Sequence, residues 1–237
     1  MALRKTALVS GEIYHIYNRG VDKRDIFMDD EDRMRFIHDL YEFNDRNPAL
    51  NLNDRLKRSK TNNREVGLPE IQRNPRELLV EILAFCMMDN HFHLMIRSVS
   101  ENGVTEFMRK LGTGYTNYFN KKYERTGALF QGKFKSVHLE KDSHLMYLPI
   151  YIHFNPLDFE FPEWRKGKIK NYKKAIEFLD TYRWSSYMDY TGQKNFPSLI
   201  QKDFILHRVG NESKFKKEMI DWLKNFNESE IKDVSLE

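Results

Sequence analysis

The stretch AFCMMDNHFHLMIRS, residues 84–98, places two histidines in an otherwise apolar run. A short Asp-Asn pair divides the run, which predicts two strands that are joined by a tight turn. Because side chains alternate between the faces of a strand, His91 and His93 point to one face and Phe92 to the other. Two neutral imidazoles on one face are half of a metal site. A histidine on an apolar face is more often a packed core residue, so the pair alone also fits plain packing.

The hydrophobic pattern on both sides of this hairpin predicts the element order βαββαβ. A strand and a helix precede the hairpin, a helix and a strand follow it, and two further helices complete the pattern. The predicted elements are strands 12–20, 77–89, 91–98 and 128–140 and helices 29–45, 102–127, 142–156 and 212–226. We therefore expect an α+β, ferredoxin-like fold, in which an antiparallel sheet carries helices on one face.

The chain is expected to hold one main domain with two additions. Residues 46–77 are polar and have few apolar anchors, which indicates an insertion. The main domain is expected to span 1–192, and 193–237 is expected to form a C-terminal helical extension. The apolar face of the helix at 212–226 predicts that this extension packs on its own domain.

The composition excludes several classes of protein. Of the 237 residues, 40% are hydrophobic and 31% are charged, and the net charge is +4. No apolar run approaches the roughly 20 residues that span a bilayer, and no signal-peptide pattern is present. The single cysteine suits a reducing compartment, so we expect a soluble, cytoplasmic protein without a membrane partner. Basic residues cluster in 54–64, 121–135 and 165–174, which favours phosphate contacts but is also typical of a solvated surface.

A second motif, YIHFNP at 151–156, supplies groups that suit phosphoryl chemistry. On a helix, Tyr151 and Asn155 share one face, whereas His153 projects elsewhere. The amide oxygen of Asn155 would complete a cation site with the two histidines, and the cation would stabilise charge on a phosphodiester. The tyrosine oxygen would then attack phosphorus and form a covalent intermediate. The alternative is that Tyr151 is a packed helix residue, since the chain holds 12 tyrosines.

Five motifs in this order carry a resemblance to a known family. They are YHIYNRG (14–20), MDNHFHLMI (88–96), GTGYTNYFNKKYERTGALFQGKFKS (112–136), YIHFNP (151–156) and WSSY (184–187). Together they resemble the IS200-like, REP-associated tyrosine transposases, a branch of the HUH endonucleases. The resemblance runs from about residue 10 to residue 192. After the Asn-Pro pair the sequence departs from the family pattern, because NPLDFEFPEW stands where the family often has a Val-x-Ala-Gly segment.

The resemblance implies a metal-dependent enzyme that cleaves and rejoins hairpin-flanked single-stranded DNA through a 5′-phosphotyrosine. It implies that His91, His93 and Asn155 hold the divalent metal, Mg or Mn, and that Tyr151 is the nucleophile. Because some relatives carry the nucleophile on another helix, Tyr115 and Tyr118 remain alternatives. Relatives act either as monomers or as dimers that exchange catalytic helices, so a homodimer is one of two assemblies that the resemblance allows.

Basic residues near the first and fourth strands are the predicted DNA contacts, with Phe130 or Phe134 stacking on a base. Two non-enzymatic alternatives stay open: a ferredoxin-like sheet that binds nucleic acid without cutting it, and an inactive, domesticated relative that kept the ligands. A pure binding protein does not need the two histidines, Tyr151 and Asn155. The predicted DNA-binding residues are Arg19, Lys23, Arg24, Lys122, Arg125, Lys133 and Lys135.

Overall fold

The fold is built on a four-stranded antiparallel sheet. The computed structural model describes residues 8–47 and 75–225. The strands lie in the order β2-β3-β1-β4, and every neighbouring pair is antiparallel. The strands are β1 (Ile13–Arg19), β2 (Val80–Met88), β3 (His91–Ser98) and β4 (Lys135–His138). This order confirms the predicted α+β fold of the ferredoxin-like type.

Helices connect the strands and continue beyond the last one. Within the described residues the α-helices are α1 (Asp30–Glu42), α2 (Gly103–Lys122), α3 (Asp142–Phe154), α4 (Tyr172–Thr181), α5 (Tyr187–Tyr190), α6 (Asp203–Val209) and α7 (Glu212–Lys224). Short 3-10 turns lie at Val21–Lys23, Asn155–Phe159 and Pro162–Lys166. None of the helices described is long and apolar enough to cross a bilayer.

Helices α1 and α2, the two helices of the βαββαβ unit, pack together on one face of the sheet. Helix α1 begins where the Asp29 side chain accepts a hydrogen bond from the Asp32 amide, an N-cap that satisfies one free donor. Phe36 of α1 meets Phe92 of β3 with ring centroids 5.0 Å apart, and Tyr115 of α2 meets Phe36 at 5.0 Å. This face is an aromatic core, as the alternation along β3 predicts.

Helix α3 covers the opposite face, where it contacts β2 and β3. It runs continuously through Pro149, which removes one backbone donor but does not end the helix. The C-terminal extension packs behind α3, since Trp222 of α7 lies 5.5 Å from Phe154 between ring centroids. Its apolar residues Phe215, Met219, Trp222 and Leu223 are buried against the rest of the protein, as expected. Phe226 lies outside the described residues.

Two predicted elements are several residues longer than the elements in the structure. Helix α2 ends at Lys122 rather than at 127, and the predicted strand 128–140 is ordered as a strand only over β4. Glu124, two residues after the helix, has a φ of +50°, which is incompatible with continuing the helix, and Gly132, with a φ of +135°, interrupts the predicted strand. The predicted insertion at 46–77 falls almost entirely outside the described residues.

Candidate active site

The two histidines of β3 lie on the face that α3 covers, and their rings are perpendicular with centroids 5.0 Å apart. His91 Nδ1 lies 2.6 Å from Asn90 Oδ1, which accepts the hydrogen bond. Because an amide oxygen is an acceptor only, His91 Nδ1 carries the proton, and in the neutral ring Nε2 carries the lone pair. The turn residue therefore sets the tautomer that a metal ligand requires.

His93 is oriented by a histidine that the sequence analysis did not single out. His15 Nε2 lies 2.9 Å from His93 Nδ1, and the two rings stack with centroids 5.2 Å apart. Burial, and then the positive charges of Arg165 and Arg19, lowers the pKa of His93 to about 3. His93 is therefore neutral at physiological pH, which is the protonation state that binds a metal. Alternation along YHIYNR places His15 and Tyr17 on one face, but only the pairing of β1 with β3 brings that face beside His93.

Tyr151 and Asn155 share one face at the C-terminal end of α3, as predicted. The Tyr151 ring meets the His93 ring edge-on with centroids 6.1 Å apart. Asn155 Nδ2 donates to the Tyr151 carbonyl at 3.0 Å, which fixes the orientation of the amide. His153 projects elsewhere, since its Nε2 lies 2.8 Å from the Ser186 hydroxyl in the WSSY motif. The two motifs HFH and YIHFNP thus meet in one site.

Arg165 is a second site residue that the sequence analysis missed. Its Nη1 donates to the Tyr151 hydroxyl at 3.2 Å and its Nη2 donates to Asn155 Oδ1 at 3.0 Å. Asp158 accepts from Arg165 Nε at 2.9 Å and from Nη2 at 2.6 Å, which holds the guanidinium in place. The only signal in the sequence was that this arginine begins the basic run at 165–174. Tyr151 is 1% exposed, and its hydroxyl is reached by the guanidinium of the half-buried Arg165.

The competing tyrosines lie on α2 and contact groups on the other face of the sheet. The Tyr115 hydroxyl donates to the Ile26 carbonyl at 2.5 Å, and burial raises the pKa of Tyr115 far above its usual range. The Tyr118 hydroxyl donates to Asp32 Oδ1 at 3.0 Å, and burial together with this carboxylate raises the pKa of Tyr118 to about 12. Both environments disfavour the phenolate form that a tyrosine nucleophile requires.

The residues fit a divalent cation in part. His91 and His93 present two imidazoles whose Nδ1 atoms are hydrogen-bonded to neighbouring side chains, as the other ring nitrogen of a metal-ligating histidine usually is. Asn155 Oδ1, the predicted third ligand, accepts from Arg165 and would have to exchange that partner for a metal. Across residues 8–47 and 75–225, no cluster of three or more His, Cys, Asp or Glu side chains is arranged around a metal position.

A pocket of about 260 Å³ at the ends of β1 and β3 gathers the histidines with part of the predicted basic set. Three of the seven predicted DNA-binding residues line it, and three uncharged neighbours were not predicted as site residues. Its described lining is Tyr17, Asn18, Arg19, His91, His93, Gln131, Lys133 and Lys135. Three cations beside two imidazoles, of which that of His93 is neutral, make this pocket suitable for an anion such as a phosphate.

The other four predicted DNA contacts lie outside this pocket. The Lys122 ammonium is bound by Asp29 at 2.8 Å, Asp32 at 2.9 Å and Glu31 at 3.1 Å, so it links α2 to the start of α1. Arg125 Nη1 donates to Asn120 Oδ1 at 3.4 Å. Lys23 and Arg24 are exposed on the turn that follows β1.

The chain is similar to one protein family and to a solved structure. The family model described as "Transposase IS200 like" matches residues 55–155, somewhat less than half of the chain. A solved structure described as the REP-associated tyrosine transposase bound to a REP hairpin is similar, with 11% identity and a TM-score of 0.48. The similarity covers 81% of this chain and 86% of that chain. No curated protein matches. The segment 55–155, which contains both histidines, Tyr151 and Asn155, matches the IS200-like transposase family, and the resemblance seen in the sequence is confirmed.

Proposed function

We propose that the protein is a metal-dependent single-stranded DNA nuclease and strand transferase that acts through a 5′-phosphotyrosine at Tyr151. One observation carries the proposal: the Tyr151 ring and the His93 ring meet at 6.1 Å across the interface between α3 and the sheet. Two residues that are 58 positions apart in sequence, and that belong to separate motifs, therefore form one site. Packing alone does not require a tyrosine and two histidines, one of them with an assigned tautomer, to converge beside three cations.

In the proposed reaction, the Tyr151 oxygen forms a bond to phosphorus while the bond from phosphorus to the 3′ oxygen breaks. The tyrosine gives up its hydroxyl proton, and the leaving 3′ oxygen gains one, which yields a phosphotyrosine on the 5′ side and a free 3′ hydroxyl. Mg²⁺ or Mn²⁺ bound by His91 and His93 would supply charge stabilisation to the phosphoryl oxygens. One phosphoester replaces another, so the strand is rejoined to a 3′ hydroxyl without an external energy source.

Arg165 has a defined part in this reaction. Its guanidinium reaches the Tyr151 hydroxyl at 3.2 Å and the Asn155 oxygen at 3.0 Å, so it orients the attacking atom before substrate binds. A guanidinium also matches the geometry of phosphate oxygens. When the strand enters, we expect Arg165 to shift one hydrogen bond from the protein to the scissile phosphate. Arg19, Lys133 and Lys135 would then hold the neighbouring phosphates at the pocket.

The test is a denaturing gel of purified protein with a hairpin that carries an unpaired flank, in Mg²⁺ or Mn²⁺. We expect a covalent protein–DNA band that requires the metal and that is lost in Tyr151→Phe. Tyr147→Phe is the matched control, because Tyr147 lies one turn earlier on α3 and stacks on Trp222 at 6.2 Å. Tyr147→Phe should therefore keep the band. A band that persists in Tyr151→Phe would contradict the assignment and would move the nucleophile to Tyr115 or Tyr118.

A second function, nucleic-acid binding without cleavage, is favoured by one observation. Tyr151 is 1% exposed and its hydroxyl is hydrogen-bonded to Arg165, so the nucleophile is enclosed in this conformation. A protein that kept the site but no longer opens it would bind the hairpin and give no covalent band under any metal. The same gel, combined with a binding measurement on the same oligonucleotides, distinguishes the two functions.

A further inference from the structure

The motif WSSY at 184–187 has no part in the proposed reaction, yet its backbone pairs with the outer edge of β2. Strand β2 is the last strand of the sheet on that side. The Met87 amide donates to the Trp184 carbonyl at 2.9 Å, and the Ser186 amide donates to the Phe85 carbonyl at 3.0 Å. The WSSY segment, residues 184–187, therefore lies along β2 as an additional antiparallel edge.

The Ser186 hydroxyl joins this edge to helix α3. Ser186 Oγ accepts from the Phe85 amide at 2.9 Å and lies 2.8 Å from His153 Nε2. The side chains of Ser186 and His153 are both completely buried. A serine hydroxyl has one donor and two acceptor positions, so one oxygen is able to hold a strand amide and an imidazole together. Helix α3 is thereby linked to β2, which pairs in turn with the strand that carries His91 and His93.

Helix α3 requires such a polar contact, because its apolar residues do not select one rotation about the helix axis. Every residue from 148 to 154 is buried, so this stretch of the helix has no exposed polar side. Burial of apolar surface is non-directional, and a helix that is buried on all sides gains a similar free energy in several rotations. A hydrogen bond between buried groups, in contrast, depends on both distance and angle. His153 is therefore able to select the rotation that packing leaves open.

His153 lies between the two site residues of its motif, on the other side of the helix. Residues two positions apart on an α-helix are separated by about 200°, whereas residues four apart share a face. Tyr151 and Asn155 consequently face the site when His153 faces the WSSY segment. The rings of Tyr190 and Phe215 enclose His153, with centroids at 5.1 and 5.9 Å. A rotation of α3 that broke this contact would carry the proposed nucleophile away from the two histidines of β3.

We propose that His153 is a positioning residue, whose hydrogen bond to Ser186 sets the rotation of α3 and thereby the place of the Tyr151 hydroxyl. The inference rests on the proposed function, because it concerns the same nucleophile. It assigns to the WSSY segment the role of anchoring α3, without contact to the substrate. A misplacement of about 1 Å can cost about 100-fold in rate, so this anchor contributes to adduct formation although it does not touch the DNA.

Two substitutions at one position test the inference. His153→Leu keeps a side chain of similar size and removes the hydrogen bond, while Ser186 keeps its bond to the Phe85 amide. Among the described residues no group hydrogen-bonds to His153 Nδ1, so the leucine leaves no partner unpaired at that end of the ring. We therefore expect the urea midpoint of His153→Leu to equal or exceed that of the wild type. His153→Gln is the matched control, because its amide is able to occupy the position of Nε2 and bond to Ser186.

The rate of the covalent band is measured in a single turnover with saturating flanked hairpin and Mn²⁺. We expect His153→Leu to slow adduct formation by about tenfold or more, with an unchanged dissociation constant for the hairpin. His153→Gln should keep the wild-type rate.

A second readout does not depend on catalysis. In protein labelled with 3-fluorotyrosine, the fluorine resonance of Tyr151 is identified by its loss in Tyr151→Phe. This resonance should shift or broaden in His153→Leu and keep its wild-type position in His153→Gln. A side chain that only fills space would not distinguish leucine from glutamine in this way.

Ser186→Ala removes the same hydrogen bond from the other partner, and it provides the test if His153→Leu does not fold. Ser185→Ala is its control, since Ser185 is equally buried and its hydroxyl accepts from the Tyr187 amide within the motif at 3.3 Å. We expect Ser186→Ala to slow adduct formation and to change the Tyr151 resonance, and Ser185→Ala to do neither.

The outcomes separate this inference from the proposed function. Wild-type rates and resonances in both His153 variants would overturn the positioning role and leave the nuclease intact. Equal losses of rate in His153→Leu and His153→Gln, with lower urea midpoints in both, would also overturn it, since His153 would then be a packing residue. A wild type that gives no covalent band, with a Tyr151 resonance that changes only in His153→Leu, would overturn the nuclease and support the anchor.

Discussion

The two faces of the sheet differ in what they bury. On the face of α1 and α2, the rings of Phe36, Phe92 and Tyr115 pack against one another and stabilise the protein by removing apolar surface from water. On the face of α3, His93 and Asn155 are equally buried, but each is hydrogen-bonded to another side chain. Buried polar groups reduce stability unless they are satisfied, and even then they add little.

Adjacent residues on one strand therefore have different roles. Phe92 points toward α1, and its neighbours His91 and His93 point toward the pocket and α3. Because one face of the strand packs in the apolar core and stabilises the protein, the other face is able to carry a polar site. We therefore expect substitutions on the two faces to separate stability from activity.

The largest expected effect is on stability, at Phe92. Phe92→Ala removes a buried ring and should lower the free energy of unfolding by about 3–5 kcal/mol. His91→Ala, one position away, should cost about 1 kcal/mol or less and abolish the metal-dependent covalent band. Urea denaturation measures the first quantity and the denaturing gel measures the second. Similar stability losses in both variants would show that the two faces do not divide these tasks.

The next effect is the pH dependence of stability on the α3 face. Burial lowers the pKa of His153 to about 3, and burial with nearby cations lowers that of His93 to about 3. Below pH 6.5 the unfolded chain therefore binds more protons than the folded protein, and stability falls as the pH falls toward 3, by up to about 1.4 kcal/mol per pH unit for each histidine.

Asp39, on α1, acts in the opposite direction. Burial raises the pKa of Asp39 to about 6, above that of an aspartate in the unfolded chain. The folded protein therefore binds this proton before the unfolded chain does, and its stability rises as the pH falls from 6 to about 4. Urea midpoints between pH 7 and pH 4 should therefore show a net decline that is smaller in His153→Gln and steeper in Asp39→Asn. A midpoint that rises as the pH falls in the wild type would contradict the assignment of neutral buried histidines.

A third expected effect concerns Arg165, which lies at the site on the α3 face. Arg165→Lys keeps the charge but cannot contact Tyr151, Asn155 and Asp158 together, because an ammonium lacks the planar fork. We expect covalent adduct formation to slow about 10- to 100-fold, which corresponds to about 1.4–2.7 kcal/mol. Arg183→Lys is the control, since Arg183 is exposed and stacks on Trp184 at 4.9 Å. An unchanged rate in Arg165→Lys would remove the arginine from the mechanism.

The smallest expected effect distinguishes two lysines that the sequence analysis grouped together. Lys133→Ala should reduce the salt dependence of DNA binding by about one phosphate contact, a slope change of about 0.7 on a single strand. Lys122→Ala should leave that slope unchanged and lower stability instead, because it removes the cation between Asp29, Glu31 and Asp32. Binding isotherms at several salt concentrations decide between them. A slope change in Lys122→Ala would return that lysine to the DNA contacts.

Local patterns were sufficient for the fold and for the two motifs of the candidate site. Alternation along residues 91–98 assigned Phe92 and the histidines to opposite faces, and a spacing of four residues brought Tyr151 and Asn155 to one side of a helix. Both inferences depend only on the backbone period, which the chain encodes locally. Boundaries that depend on backbone angles, such as those at Glu124 and Gly132, were not predicted.

Periodicity and spacing along the chain were enough to predict the βαββαβ order, the shared face of His91 and His93, and the pairing of Tyr151 with Asn155. The groups that complete the site come together only in the folded chain. His15 reaches His93 through strand pairing between residues 78 positions apart, and Arg165 reaches Tyr151 because a 3-10 turn brings the chain back. Folding also places Lys122 among three carboxylates and Lys133 at the pocket, although both lie in one basic run of the sequence. A hydrogen bond or an ion pair depends on distance in space, and sequence spacing gives that distance only within one helix or strand.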